Sequence, residues 1–492
     1  MRARFTSLAT AVALWMAPQF AAAAEDIDEQ LRQLRQAREL RELHELDARL
    51  AGMQQQIETA AEDLEAASAR LGQQQESIEQ AGLDPRQARS GLSTLLSETQ
   101  FSGHLAASYN YNFNGIESSA SIAGGGRAGA GNLGLTAPFH AQGNNFQLDQ
   151  FYLAMQKPAT PESRGGWMFS LAWGESADVM NGNGSFDDDA GDFEFALQTP
   201  YIHRAYVEYL ADVGSGVNVR LGRFGTPVGA ESFSAADNFN ISRGLLWSLQ
   251  PVDHSGLEIS GACDNGIDWS LAVSNDFSET NLDSDQGKTF VGHLGYSTET
   301  WSAQLNGVYG GNLSNTIYAY GGTAGVSGPG SDKDAVALLD LVLTYDPSER
   351  LSMWFNFDYF WSDEPDSLPG PSSLTVWGLA AGSLYAISDQ TRISLRAEYV
   401  YFNDGGIVFL ASEFAPDGLH TSRDASVWSI TGTIHHALTE QLTLRLEGRY
   451  DRGSGQGTPD KLFVTNGTAP GDPDRFGEHD QGLALIQLIY RF

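Results

Sequence analysis

The chain has 492 residues, with 62 Asp and Glu against 29 Lys and Arg and a formal net charge of −33. Only four of its cations are lysines (Lys157, Lys288, Lys333 and Lys461), so no basic surface can be assembled to neutralise phosphates and nucleic acid is excluded as a partner. A single cysteine, Cys263, excludes an intramolecular disulfide framework and a cysteine-based zinc cluster, while 54 glycines and 11% aromatic residues suit many turns joining aromatic-rich strands.

Residues 1–24 read as an export signal. Arg2 and Arg4 give the positive start, Leu8 to Met16 a short apolar core, and Ala21 to Ala24 a small-residue cleavage site before Glu25 and Asp26. That core is shorter than the roughly 20 apolar residues a membrane-crossing helix needs, and no uncharged apolar run of helix-spanning length occurs elsewhere.

Residues 25–81 contain no aromatic side chain and are rich in Gln, Glu, Arg, Ala and Leu. From Leu43 a 3-4 spacing runs through Leu46, Leu50, Met53, Ile57, Ala60, Leu64, Ala67, Leu71, Gln74 and Ile78. This heptad seam predicts a coiled coil, with a register change around residues 35–42, where Ile27, Leu31 and Leu34 fit a different phase. An amphipathic rod of this kind buries its stripe only against partners, so self-association follows. Gly82 and Asp84-Pro85 end it, and residues 82–98 form a linker.

From Phe101 the period becomes two. Phe101, Gly103, Leu105, Ala107, Tyr109, Tyr111 and Phe113 alternate with Ser102, His104, Ala106, Ser108, Asn110 and Asn112. The odd positions suit lipid and the even ones water. The same alternation recurs around Trp167–Trp173, Trp301–Tyr309, Ile393–Tyr401 and Leu442–Tyr450. Short connections at 158–165, 212–216, 264–266, 297–300, 346–349, 388–391 and 439–441 alternate with long ones at 114–145, 174–199, 225–253, 275–287, 311–333, 361–372, 403–423 and 452–480. Seven short and eight long connections join sixteen antiparallel strands, so residues 99–492 are expected to form an all-β transmembrane barrel with its short turns and both ends on the periplasmic rim. The chain ends in Phe492 on an amphipathic aromatic strand, which resembles the signal read by the outer-membrane assembly machinery.

Sixteen strands leave an aqueous lumen. Its wall is expected to carry Arg204 and Glu208 on one strand, Arg220 and Arg223 on the next, and Glu258, Asp268, Asn306, Asp340, Asn356 and Asp358 further on. Arg392, Arg396 and Glu398, then Arg445, Glu447 and Arg449, repeat an Arg-x3-Arg spacing with an acid at each set. Two readings stay open for these sets: a ladder for anions, or a mutually paired wall. Residues 99–492 hold 46 acids and 19 Lys or Arg, net −27, a field that favours cations or neutral solutes at the mouth. The acidic run Asp187-Asp188-Asp189 with Asp192 lacks EF-hand spacing and reads as a hydrated loop, so no metal or other cofactor is expected. Segment 225–253 reads either as an exposed loop or as a segment folded into the lumen, where Glu231, Asn238, Arg243 and Trp247 narrow the pore.

The stretch from Phe146 to about Gly261 carries a family resemblance. It contains LDQFYL (148–153), GWMFSLAWGESAD (166–178), AYVEYLADVGSGVNVRLGRFGTPVGAES (205–232) and NISRGLLWSLQPVDHSG (240–256). In order and spacing these segments resemble the β-barrel porin-2 (OmpL-like) outer-membrane proteins. The resemblance implies diffusion of small solutes across an outer membrane and supplies no catalytic residue. Phosphate-selective porins look similar in their N-terminal coiled coil and GRFGTPVGAE-like segment; this chain departs from them in its acidity and lack of lysine.

No GxSxG nucleophile motif occurs, and no His or paired acids sit in a recognisable catalytic pattern, so an enzyme is not expected. The expected protein is an outer-membrane porin with a periplasmic coiled coil, passing small hydrophilic solutes or ions with a preference for cations. Its expected partners are outer-membrane lipid and lipopolysaccharide, and copies of itself in a trimer formed through barrel walls and coiled coil. Alternatives are a channel selective for anions or organic acids, and a barrel that tethers the outer membrane to peptidoglycan.

Overall fold

The computed structural model describes residues 98–114, 137, 139–140, 144–181, 200–275, 277, 287–311, 335–363, 373–403, 424–455, 463–464 and 476–492. The expected signal, the coiled coil and nearly all of the linker lie outside the described residues, as does the Asp187–Asp192 run.

Sixteen strands form one closed sheet: β1 (Gln100–Asn112), β2 (Asn145–Lys157), β3 (Gly165–Trp173), β4 (Tyr201–Ala211), β5 (Val217–Gly225), β6 (Asp253–Ala262), β7 (Ile267–Ser274) and β8 (Thr289–Ser297), followed by β9 (Trp301–Gly311), β10 (Ala335–Ser348), β11 (Leu351–Asp363), β12 (Ser373–Ala386), β13 (Thr391–Asn403), β14 (Ala425–Ala437), β15 (Leu442–Gly455) and β16 (Asp480–Arg491). Each pairs antiparallel with the next, and β16 returns to β1 to close the barrel. Outside the sheet, the described residues include a two-stranded ribbon, Phe463–Val464 with Phe476–Glu478, a short α-helix, α1 (Glu175–Asn181), after β3, and 3-10 turns at Ala235–Asp237 and Trp247–Leu249. The turns expected from the sequence fall between these strands; at 264–266, for example, Gly266 adopts a φ of +86° that only glycine takes without strain.

Closure depends on a close approach at the last residue. Gly103 and Phe492 exchange both backbone hydrogen bonds at 3.0 Å, and a β-carbon on Gly103 would stand 2.6 Å from the Phe492 ring. A closed sheet has no edge strand to leave unpaired, which is the condition for burying a sheet in lipid.

The alternation sorts side chains as expected. Leu105, Val207, Leu221, Leu271, Phe290, Tyr309, Leu395 and Ile430 point outward and are exposed, while His104, Ser270, Asn306, Asp340, Asn356, Arg396 and Glu447 are buried inside. Exposed apolar residues ring the whole sheet, a surface that suits hydrocarbon as solvent. No helix among the described residues is long and apolar enough to cross a membrane.

Candidate functional site: the inward segment and the passage beside it

Residues 226–252, between β5 and β6, fold into the barrel interior. Their composition gives the reason. Val228, Phe233, Ile241, Leu245, Leu246, Trp247 and Leu249 are too apolar a set for a hydrated loop, and all are buried. Leu245, Leu246 and Leu249 pack into a cluster with inward-facing Leu338, Phe360, Val376, Val400 and Phe402. Phe233, Trp247 and Val252 join a second cluster with Tyr152 and Met168 of the strands, Met180 of α1, and Phe139. The Trp247 and Phe139 rings meet edge-on at 5.1 Å. Residues of two successive long connections therefore pack against the same segment from one side.

A buried segment must place its backbone polar groups, and the walls supply the partners. The Ile241 and Ser242 N–H groups donate to the Glu447 carboxylate at 2.5 and 3.0 Å. Arg445 donates to the Ala235 carbonyl at 3.1 Å, Arg449 to the Arg243 carbonyl at 2.6 Å, and Arg491 to the Ala236 carbonyl. Ser394 holds the Phe239 carbonyl at 2.6 Å, and Asn240 reaches Thr433 at 2.7 Å. Past the barrel's closure, Gln150 of β2 accepts from the Ala235 N–H at 2.8 Å. On the remaining side Gln250 donates to Asn356 at 2.9 Å and to Asp358 at 2.8 Å, while Asp340 accepts from the Gly229 N–H at 3.3 Å.

That last contact belongs to a hydrogen-bonded belt running round the wall. Asp268 meets His293 at 2.6 Å, His293 meets Asn306 at 2.6 Å, Asn306 donates to Asp340 at 2.6 Å, and Asn356 bridges Asp340 and Asp358. The belt follows sheet register, since His293 faces Asn306, Asn306 faces Asp340 and Asp340 faces Asp358 on neighbouring strands.

The structure places the sequence candidates in two groups. Arg396, Glu398, Arg445, Glu447 and Arg449 hold the inward segment and are buried. Arg396 pairs with Glu398 at 3.0 Å and with Glu231 of the segment at 2.6 Å, while Arg449 pairs with Asp451 at 2.8 Å. A ladder of free arginines is therefore not what this wall carries. The paired-wall alternative describes Arg396 and Glu398, whereas Glu447 binds segment amides instead of the neighbouring arginines. Arg243 also turns away from the passage: it donates to the Ser232, Phe233 and Ile241 carbonyls and lies over the Phe139 ring, clamping the segment's own turn. Asn238 does the same, accepting from the Ser232 N–H and donating to the Ser232 and Ser234 carbonyls. Arg223 is buried against Asp253 at 3.1 Å. Arg392 is exposed at the start of β13.

Arg204, Arg220 and Glu231 remain beside open volume, and Glu208 lies buried behind Arg220. A cavity of about 560 Å³ is lined by Asn218, Arg220, Glu258, Asp268 and His293 together with Gly225 and Thr226. Arg220 is bracketed there by Glu208 at 3.1 Å and Glu258 at 2.8 Å. A narrower cavity of about 190 Å³ is lined by His203, Arg204, Glu231, Phe233, Trp247 and Gln250, again with Gly225 and Thr226. Both cavities border Gly225 and Thr226, where the segment leaves β5. They lie between the inward segment and the β4–β8 wall.

Sequence reasoning missed Gln150, Ser394, His435 and Gln250 as holders of the segment. Their partners lie between 83 and 196 positions away, beyond any local pattern. A usable signal existed only for the segment itself, in the apolar run around Leu245–Leu249. No group of three or more metal-binding side chains occurs among the described residues.

A closed sixteen-strand barrel with lipid-facing alternation and a polar interior narrowed by an inward segment defines a porin-like outer-membrane channel protein. The family model described as "Putative beta-barrel porin-2, OmpL-like" matches residues 98–492, and the chain belongs to that family. Among curated proteins none matches the sequence. Among solved structures, the chain is similar to the outer membrane channel DcaP of Acinetobacter baumannii, at 10% identity and a TM-score of 0.49, covering 80% of this chain and 97% of that one. It is similar also to OprB of Pseudomonas putida, at 12% identity and 0.47, covering 81% and 96%, and to an anion-selective porin from Comamonas acidovorans, at 13% identity and 0.44, covering 80% and 99%. Family and barrel support an outer-membrane location and point to a channel rather than an enzyme.

Proposed function

We propose that the protein is a narrow diffusion channel for small hydrophilic solutes and ions, with a preference for cations. The observation that carries this reading is the pair of cavities beside the inward segment, read as one passage. The wider presents Glu258 and Asp268 against one arginine, Arg220, which Glu208 also neutralises, in a barrel whose residues 99–492 carry a net −27. Acid-lined low-dielectric walls concentrate cations and slow anions. The narrower part limits the size of what passes.

The same proposal includes the layout expected from the sequence: a signal removed from residues 1–24, a coiled coil at 25–81 in the periplasm, a linker at 82–98, and a trimer held through barrel walls and coiled coil. Lipopolysaccharide around the barrel, and insertion by the outer-membrane assembly machinery through the strand ending in Phe492, complete it.

Single-channel recording in a planar bilayer under a KCl gradient tests the reading. Stepwise currents with a reversal potential of the cation-selective sign are expected, closing in groups of three. Folded, heat-modifiable protein that gives no current steps would overturn it.

A further inference from the structure

We infer that the narrow cavity is a binding subsite for a small organic monocarboxylate, with Arg204 as the group that holds the carboxylate. This rests on the channel reading above and names a solute class for its narrowest part.

Arg204 stands apart from the other interior arginines. Arg220, Arg223, Arg396 and Arg449 each have a carboxylate within 3.1 Å. Arg445 and Arg243 are taken up by carbonyls of the inward segment. Arg204 is partly buried, its Nε is enclosed without a hydrogen-bond partner, and no acceptor among the described residues reaches its guanidinium. The acids nearby have their own cations. Asp253 is held by Arg223 at 3.1 Å and by the Tyr201 hydroxyl at 2.6 Å, and Glu231 by Arg396 at 2.6 Å and the Gly244 N–H at 2.6 Å. An enclosed guanidinium nitrogen without an acceptor is costly, and an incoming anion offers this guanidinium charge-assisted hydrogen bonds.

The backbone holds this group in place. Gly225 lies directly beneath the guanidinium: a β-carbon there would stand 2.9 Å from one terminal nitrogen and 3.1 Å from Nε. The absent side chain is what lets Arg204 lie flat along the narrow cavity, which Gly225 also lines.

The lining selects the class of anion. One unpaired guanidinium offers one compensating charge, which matches a monocarboxylate and leaves a multiply charged phosphate short of cations. A planar guanidinium also matches a carboxylate in two parallel hydrogen bonds. In the same lining, Phe233, Trp247, Pro251 and Val252 give apolar edges for a short chain or ring, with Ser232, Gln250 and the Arg396-paired Glu231 beside them. At about 190 Å³ the cavity is smaller than the roughly 300–1,000 Å³ of drug-sized sites, so the acid must be small. A weak subsite of this kind catches a solute against the acidic field of the barrel and still releases it, the condition for selective conduction.

Ion-current block by benzoate, with neutral benzamide as its shape control, tests the assignment on the full chain in planar bilayers. Benzoate is expected to block the KCl current in a saturable way and benzamide to have little effect. In Arg204→Gln, folded by its heat-modifiable mobility, block scaled to the variant's own open current should need roughly ten- to hundredfold more benzoate. Gly225→Ala, which keeps the charge and displaces the guanidinium, should weaken block as well. Equal block by benzamide, or undiminished block in Arg204→Gln, overturns the subsite. If folded protein gives no KCl steps, the channel reading fails on its own. Calorimetric titration of benzoate into the detergent-solubilised protein then decides the subsite: binding heat that Arg204→Gln abolishes supports it, and no heat in the parent protein removes it.

Discussion

Arg396 on β13 and Glu231 on the inward segment meet at 2.6 Å, with the arginine side chain fully enclosed and the glutamate nearly so. The same guanidinium reaches Glu398 at 3.0 Å and the Ser242 carbonyl at 2.6 Å. One cation thus neutralises two acids from different elements and ties a segment carbonyl to the wall. Such a network is stable only while every member is satisfied, because each buried charge relies on the others for its solvation. The position of the segment, and so the width of the passage beside it, depends on this junction.

Arg396→Met should therefore do more than delete an ion pair. It leaves Glu231 and Glu398 buried without their cation, a loss of about 3–5 kcal/mol for a buried pair broken from one side. The segment should loosen, giving larger and noisier single-channel currents and a lower urea midpoint for the variant than for its parent. Glu231→Gln keeps an oxygen for Arg396 and should show the milder form of both effects. Unchanged current noise in Arg396→Met would remove the junction from control of the passage.

Gly244 tests the same junction by shape alone. A β-carbon at this position would meet a Glu398 carboxylate oxygen and stand 2.6 Å from Glu231 Oε2. Gly244→Ala should push the two acids and the segment apart, with a stability loss of about 1–3 kcal/mol as in other overpacked sites, and should change open-channel conductance. Gly448→Ala on the outer face, where nothing lies within 4 Å, is the matched control and should leave conductance as it was.

These two cases also mark where sequence reasoning reaches and where it stops. The barrel was legible because its information is local: a period of two fixes which side chains face lipid, and a turn such as 264–266 needs only its own residues. The Arg-x3-Arg spacing likewise shows that Arg392 and Arg396, or Arg445 and Arg449, share a face. It is silent on what stands opposite, and the segment that does so lies about 150 to 200 residues earlier in the chain. The apolar run Leu245–Leu249 hints that segment 225–253 is buried, but Glu447 as the acceptor of its amides follows from tertiary register alone. Arg204 is the converse case. It was legible as a lumen residue, yet its lack of a partner emerges only once every other interior arginine has been given one.

Charge in the wider cavity should set ion preference. Glu258 and Glu208 bracket Arg220 there, and Asp268 lies next along the wall with His293 at 2.6 Å. Glu258→Gln combined with Asp268→Asn leaves Arg220 with half of its acidic partners. The cation-to-anion permeability ratio, read from reversal potentials under a KCl gradient, should fall roughly two- to threefold as the local field weakens. Raising the salt should shrink the difference between variant and parent, because the interaction is screened. An unchanged ratio at low salt would locate the selectivity in the long connections instead.

The helix α1 should dock in a pH-dependent way. Asp178 is buried, its Oδ2 has no hydrogen-bond partner among the described residues, and burial pushes its carboxyl up to about 6. The folded value lies above the ordinary 3.8, so the fold favours the protonated form. The contribution to docking is therefore complete below the ordinary value and is lost as pH rises through about 6. Glu175, in the same helix, is pushed up to about 8 by burial and by the Asp178 charge, which extends the loss to higher pH. Amide exchange at residues 175–181, corrected for the intrinsic effect of pH, should be slower at pH 5 than at pH 7.5. Asp178→Asn should flatten the lower part of that dependence and Glu175→Gln the upper part. A parent-like profile in Asp178→Asn would mean that water reaches the Asp178 carboxyl and that Glu175 alone carries the dependence, with Ala177 and Met180 packing holding the rest of α1.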